Sequence, residues 1–477
     1  MLSAVLTLLL GLFCASGYAN QTQAKAPAIT LSDELSIDDG VGNTLSFDDQ
    51  ALAPVKPDSF LDKFIFKLSQ QIYAQINPHA TASGVEKQPV IEDNRLNFLL
   101  KYQNSFAPTW NIQGSAQTKI YWPTDYDYEN GRSSQSIELE QRVENIESRL
   151  NELFISKSFT NHTLKLGRQT IVWGEAEGNS VLDNINTLEY RDLSIIEMED
   201  ARLNQWFITW DYFNEAIRAS TFVNLNPQFN PLPRISSPAY TPIPFNITDP
   251  DKDNYKLEVG SRIQWSVAHS DVALMAAYLY ENPLHYVTPT SMTGDIMAKE
   301  NGYWLLGASA NRAIGKLLLK LDLAYSQGLL ADTLTVPLTS FPYQGSSSIS
   351  KNQVAATFGF DYTLSNEQSI TASVQAKAFL DRTAGLAIGE STVNGDVFGT
   401  WLIRYSHSFN NGNLLFISYN RGSLNADQAL TSAMLSYTFN DHWSVMGSVI
   451  GTFATKDSNA ALLDKDVRVG LTISYSH

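Results

Sequence analysis

The stretch NELFISKSFTNHTLKLGRQTIVWGE, Asn151 to Glu175, decides the fold. It predicts two strands, 152–159 and 163–173, closed by Thr160-Asn161-His162. In the second, Leu164 and Leu166 alternate with Lys165 and Gly167. A period of two, apolar on one side and polar on the other, marks a strand whose faces meet different environments. The first arm is less regular: Leu153, Ile155 and Phe159 share a face with Lys157, and Phe154 stands on the polar side. A long polar segment follows the hairpin.

The same unit recurs on both sides of this stretch. Strand pairs are predicted at 96–104/110–121, 205–213/216–224, 256–268/272–280, 303–311/316–325, 353–362/368–379, 397–408/413–420 and 430–439/443–453. Asn, Asp, Gly and Ser fill the short connections, as tight turns require. A strand at 467–475 and one within 60–76, where a helical period fits nearly as well, bring the count to eighteen; sixteen is the alternative. Short turns alternate with long loops, so the pattern predicts an all-β, antiparallel transmembrane barrel with short periplasmic turns and long external loops. An even count places both barrel ends on the periplasmic side. A soluble all-β domain is the competing reading.

Composition sets the address. Residues 1–19 carry an apolar core, with Gly17 and Ala19 at the −3 and −1 positions of a cleavage site, and predict a secretory signal too short to span a bilayer. Cys14 is the only cysteine, so disulfides and thiolate metal sites are excluded beyond the signal. Bulky Phe13 beside Cys14 counts against a lipoprotein. Residues 20–59 are polar and acidic and predict a flexible periplasmic lead-in, leaving 60–477 for the barrel. The net charge of −16 argues against nucleic acid. Acidic loops fit solvation first; a sharper reading is divalent-ion bridging to lipopolysaccharide, alongside outer-membrane lipid as partner.

Trp110, Trp122, Trp173, Trp206, Trp304 and Trp443 lie near predicted strand ends, where interfacial rings belong. The ending VRVGLTISYSH looks like the C-terminal strand read by the barrel-assembly machinery, with His477 in the place of the usual aromatic.

LGRQTIVWGE, with Gly167, Arg168, Gln169, Trp173, Gly174 and Glu175, and Asp183 and Asn186 beyond it, resembles a proteobacterial outer-membrane family of unknown function. Genes of that family often neighbour resistance-nodulation-division-type exporters. The resemblance covers about forty residues. It implies a barrel, transport and an inner-membrane exporter as a possible partner, and supplies no established binding residues.

Strict alternation aims Arg168 at lipid, where a charge near the midplane costs about 2–4 kcal/mol. A bulge at Gly167 that turns Arg168 inward toward Glu175 is the preferred resolution; a strand end at the headgroups is the alternative. Residues 179–202 hold Asp183, Glu189, Arg191, Asp192, Glu197, Glu199, Asp200 and Arg202 and form the candidate segment for narrowing the lumen. Lys101, Lys119, Arg168, Arg218, Arg262, Lys320 and Arg404 are the wall candidates, with Gln169, Glu175, Asp183, Arg191 and Arg202 at the constriction. The stiff stretch 226–250, with seven prolines, is a candidate cap.

The expected function is passive passage of small anionic or amphiphilic solutes, with export of lipophilic compounds as the alternative. RYSHSFNNG, 404–412, resembles a segment of outer-membrane phospholipases, but His407 and Ser408 are adjacent and therefore face opposite ways on a strand. No enzymatic activity, cofactor or metal is expected: no Gly-x-Ser-x-Gly, His-Glu-x-x-His or phosphate loop is present, and the seven histidines are scattered.

Overall fold

Along Gln205–Phe213, Gln205, Phe207 and Thr209 are buried while Trp206, Ile208 and Trp210 are exposed. The exposed set is the more apolar one, which is stable only where the surroundings are apolar too. The same inversion holds in 467–476, where Val469, Leu471 and Ile473 are exposed and Arg468 and Thr472 are buried.

The computed structural model describes residues 63–77, 90–122, 124, 146–189, 191–192, 194–195, 197–231, 247–248, 255–287, 296–333, 348–380, 386–388, 391–392, 397–455 and 463–477. Every described residue lies in one compact unit, 39–477. The expected signal 1–19, the lead-in 20–59 and most of 226–250 lie outside the described residues.

The wall consists of β1 (Phe64–Asn77), β2 (Val90–Ala107), β3 (Trp110–Tyr121), β4 (Ile146–Ser158), β5 (His162–Gln169) and β6 (Gln205–Phe213). It continues with β7 (Ile217–Asn224), β8 (Glu258–Val267), β9 (Ser270–Tyr280), β10 (Gly302–Ile314), β11 (Leu317–Thr333) and β12 (Ser348–Ser365). It ends with β13 (Gln368–Phe379), β14 (Phe398–Phe409), β15 (Leu414–Ser423), β16 (Gln428–Thr438), β17 (Trp443–Ala454) and β18 (Val467–Ser476). Each strand pairs antiparallel with the next, and β18 returns to β1 from Lys67↔Ser476 to Asn77↔Val467. The ring is therefore closed at eighteen strands, and no edge is left to seek a partner. The first strand, ambiguous in sequence, is β. No described helix is long and apolar enough to cross a membrane, so any crossing falls to the strands.

All connections at one end of the ring are short, such as 108–109 and 268–269, while those at the other are mostly long. β2, β11 and β12 run to 17 or 18 residues. That exceeds the 9–11 or so needed to cross hydrocarbon, so their ends project past it.

Trp122, Trp206, Trp304 and Trp443 are exposed near strand ends, as interfacial rings should be. Trp173 is a correction: it is 2% exposed, because the chain has already left the wall when it reaches that residue. Its indole packs edge-on against Phe222, which in turn meets Phe207. Leu182, Ile185, Leu279, Tyr303 and Leu305 complete one apolar core. This core joins the wall to an internal segment, 170–204, that carries Trp173, Leu182 and Ile185.

Candidate constriction site

The departure from the wall is built by a side chain that stands in for a strand. Asn186 accepts from the Ile171 amide at 3.1 Å and donates to the Ile171 carbonyl at 2.7 Å, satisfying a backbone that no longer has a β neighbour. Gly174 then turns the chain with φ +99°, a region L side chains rarely adopt, and a Cβ there would run into Ser180. Beyond the turn, the amides of Glu175 and Ala176 both donate to the Asp322 carboxylate of β11, at 2.9 and 3.0 Å. Asp322 is fully buried, and two amides aimed at one carboxylate form an anion-binding nest. Glu175 turns its own carboxylate to Arg262 of β8 (3.1 Å) and Asn311 of β10 (2.8 Å).

Asn179 carries the segment to β12–β14. Its carbonyl accepts from Thr357 (2.9 Å) and Gln375 (3.0 Å), and its side-chain amide meets Ser373 and Thr400. The return limb, 187–203, folds on itself through a two-residue ladder, Thr187–Leu188 against Arg202–Leu203, and one helical turn, Met198–Ala201. Asp183 pairs with Arg202 at 2.7 Å.

Charge fixes this limb to the wall. Glu197 meets Arg404 of β14 (2.8 Å), and Glu189 meets Arg149 of β4 (3.4 Å). Arg191 joins Glu189 to Glu147 of β4, at 2.5 and 2.8 Å. Asp192 lies between Arg95 of β2 (2.5 Å) and Lys119 of β3 (3.6 Å), and Ser194 accepts from Arg95 and from Gln71 of β1. In these wall-to-segment ion pairs the wall supplies most of the cations and the segment most of the carboxylates. The segment thus touches the ring along two arcs, β1–β4 and β6–β14.

Burial pushes the Asp192 carboxyl up, but Arg95 and Lys119 outweigh it and hold the group well below the usual carboxylate range. A carboxyl depressed in this way adds stability above its unfolded value of about 4, and loses it only as pH falls through the depressed value. Burial instead raises Glu199, with Arg202 partly opposing, so its ionised form is disfavoured in place. The latch formed by Asp192 is therefore expected to hold from about pH 8 down to pH 5. Single-channel conductance that changes in steps across that window would count against it.

The residues named from sequence divide by position. Glu175, Arg262, Asp183, Arg191, Arg202 and Arg404 lie in the contacts just described. Gln169 is buried beside Gln205, whose amide donates to the Ile185 carbonyl. Lys320 is buried two residues from Asp322 and pairs with Asp361 of β12 at 2.6 Å. Arg218 is exposed at the short-turn end of β7, opposite Gln264, apart from this cluster.

Arg168 is a correction. No register shift occurs at Gly167, so Arg168 keeps the outward face, opposite Leu153 and Trp206, both exposed. Gly167 has φ +142°, and a Cβ would strike the Leu153 carbonyl, which explains the glycine without a bulge. The bulge lies in β4 instead, where Asn151 is the extra residue between the pairs Ser115↔Glu152 and Ala116↔Leu150. Arg168 donates to the carbonyl of that residue (3.1 Å), and Glu175 is left to Arg262.

Asp322, Asn179 and Arg95 are the site residues that periodicity does not mark. A signal was present: VALMAAYLY in β9 is apolar on both faces, so its inward side had to pack against something other than water.

A closed, lipid-belted ring with a polar inner wall and a segment folded against that wall defines a transmembrane β-barrel of porin type. The chain belongs to the family described as protein of unknown function (DUF1302), which matches residues 6–476. A search of curated proteins returned no match. Among solved structures the chain is similar to Acinetobacter baumannii OccAB3, at 10% identity and TM-score 0.48, covering 87% of this chain and 98% of that one. It is also similar to Pseudomonas aeruginosa OccK9 (OpdG), at 14% identity and TM-score 0.47, covering 87% and 97%. Pseudomonas aeruginosa OpdK with vanillate matches at 12% and 0.46, covering 88% and 100%.

Proposed function

We propose that the protein is an outer-membrane channel for passive passage of small solutes, narrowed by segment 170–204. The observation that carries this is the placement of the segment. It is held by wall residues from two arcs on opposite sides of the ring, so the free cross-section depends on it rather than on strand number. Polar wall groups can replace hydration, and fixed charges select by sign.

Amphiphilic anions are the proposed solute class. One flank of the segment is apolar, around Trp173 and Leu182, and the other is lined by wall cations at Arg95, Lys119 and Arg149. An anionic head can compete there with the segment's own carboxylates while an apolar tail lies toward the other flank.

No chemical step is assigned. His407 faces outward against Tyr405 and Gln368, and Ser408 is paired with Leu415 on the opposite face, so the two cannot act on one bond. In planar bilayers the purified protein is expected to give discrete conductance steps, with a reversal potential favouring anions in a salt gradient. A folded, heat-modifiable barrel that stays silent would instead support an outer-membrane partner of an exporter, and lipase activity lost on His407→Ala would support a hydrolase.

A further inference from the structure

Arg168 occupies the last outward position of β5 before the chain leaves the wall, between Leu153 and Trp206 and beyond exposed Leu166. A cation in such company calls for an anion. Among the described residues it meets none: Nε donates to the Asn151 carbonyl (3.1 Å), Nη1 to the Gln228 side-chain oxygen (3.3 Å), and no carboxylate pairs with it. Both acceptors are neutral, and both sit on anchored backbone. Asn151 is the bulged residue of β4, and Gln228 is anchored by its backbone N–H, which donates to the Gln205 side-chain oxygen at 2.9 Å. The guanidinium is therefore held in one orientation, while Nη2 donates to nothing among the described residues.

We propose that the outward edge of Arg168 binds the phosphate of a membrane lipid headgroup. A planar guanidinium matches phosphate through two parallel N–H donors, and pre-orientation removes part of the cost of ordering a long side chain. Trp206, on the same face, offers a ring to the acyl–headgroup boundary beside it. The site rests on the outer-membrane placement proposed above, but not on the protein being a channel.

The test uses the full-length protein in detergent, with three probes: bisphosphorylated lipid A, the same lipid without phosphates, and inorganic phosphate. Arg168→Gln is expected to weaken binding of the phosphorylated lipid about tenfold and to leave the dephosphorylated lipid unchanged. Arg168→Lys, which keeps charge but loses the fork, should fall between. Heat-dependent gel mobility establishes that each variant is folded, and Arg168→Lys carries the test if Arg168→Gln does not fold. Equal binding by the native protein and the variants overturns the proposal. So does competition by inorganic phosphate at comparable concentration, which would assign a small-anion site in place of a lipid site.

Discussion

Asp322→Ala is expected to raise single-channel conductance severalfold and to make the open level noisy. The carboxylate accepts the amides of Glu175 and Ala176 just where the internal segment turns, and it is shut off from solvent. Without it, two buried N–H groups lose their acceptor, at about 1–3 kcal/mol each. That is enough to move a docked segment into a mixture of docked and released states. The wall itself keeps its ladder, because the backbone pairing of β11 with β10 and β12 does not use this side chain. Asp322→Asn retains one acceptor oxygen and should give a smaller rise. Native conductance from a folded Asp322→Ala barrel would remove the segment from any narrowing role.

The second large effect is expected at the opposite side of the ring. Arg95→Ala leaves Asp192 buried with only the more distant Lys119 ammonium. Breaking a buried pair by deleting one partner costs about 3–5 kcal/mol, since the survivor keeps its desolvation without compensation. The return limb should then detach at physiological pH. Its response to acid should also change: with the guanidinium gone, only Lys119 and Ser194 still oppose burial, so the Asp192 pKa rises from its native value and protonation relieves the stranded charge at a higher pH than in the native protein. The native channel should be level over the same range. Asp192→Ala in the Arg95→Ala background removes the stranded charge, and a conductance nearer the native one is expected. A single variant that behaves like the native channel at every pH would show that this pair does not hold the limb.

The wall is legible in sequence because alternation is a local property. Three predicted strands, 110–121, 205–213 and 368–379, have the observed bounds, and 163–173 fails where tertiary structure takes over. That strand stops at Gln169 because Asn186 offers Ile171 a substitute ladder, and no local period encodes a bond across fifteen residues. Arg168 shows the same limit from the other direction. Alternation alone aims it outward, and the expected bulge sits one strand away at Asn151. Charge marks 179–202 as unusual, but the partner of each charge depends on ring order. Asp192 and Arg95 are almost a hundred residues apart, and Glu197 and Arg404 more than two hundred. Strands apolar on both sides, such as β9, were the one local sign that the interior is partly packed.

The pairing of β18 with β1, down to the mutual bonds of Phe66 and His477, has a consequence for the order of assembly. The seam joins positions some four hundred residues apart, so it is the most entropically delayed contact in the wall. The bonds that hold the front of segment 170–204, from Glu175 to Arg262 and to Asp322, span far shorter stretches of chain than the seam does. Loop-closure entropy therefore favours lining the interior before the hoop is fastened, with the nest at Asp322 as a place for that lining to begin.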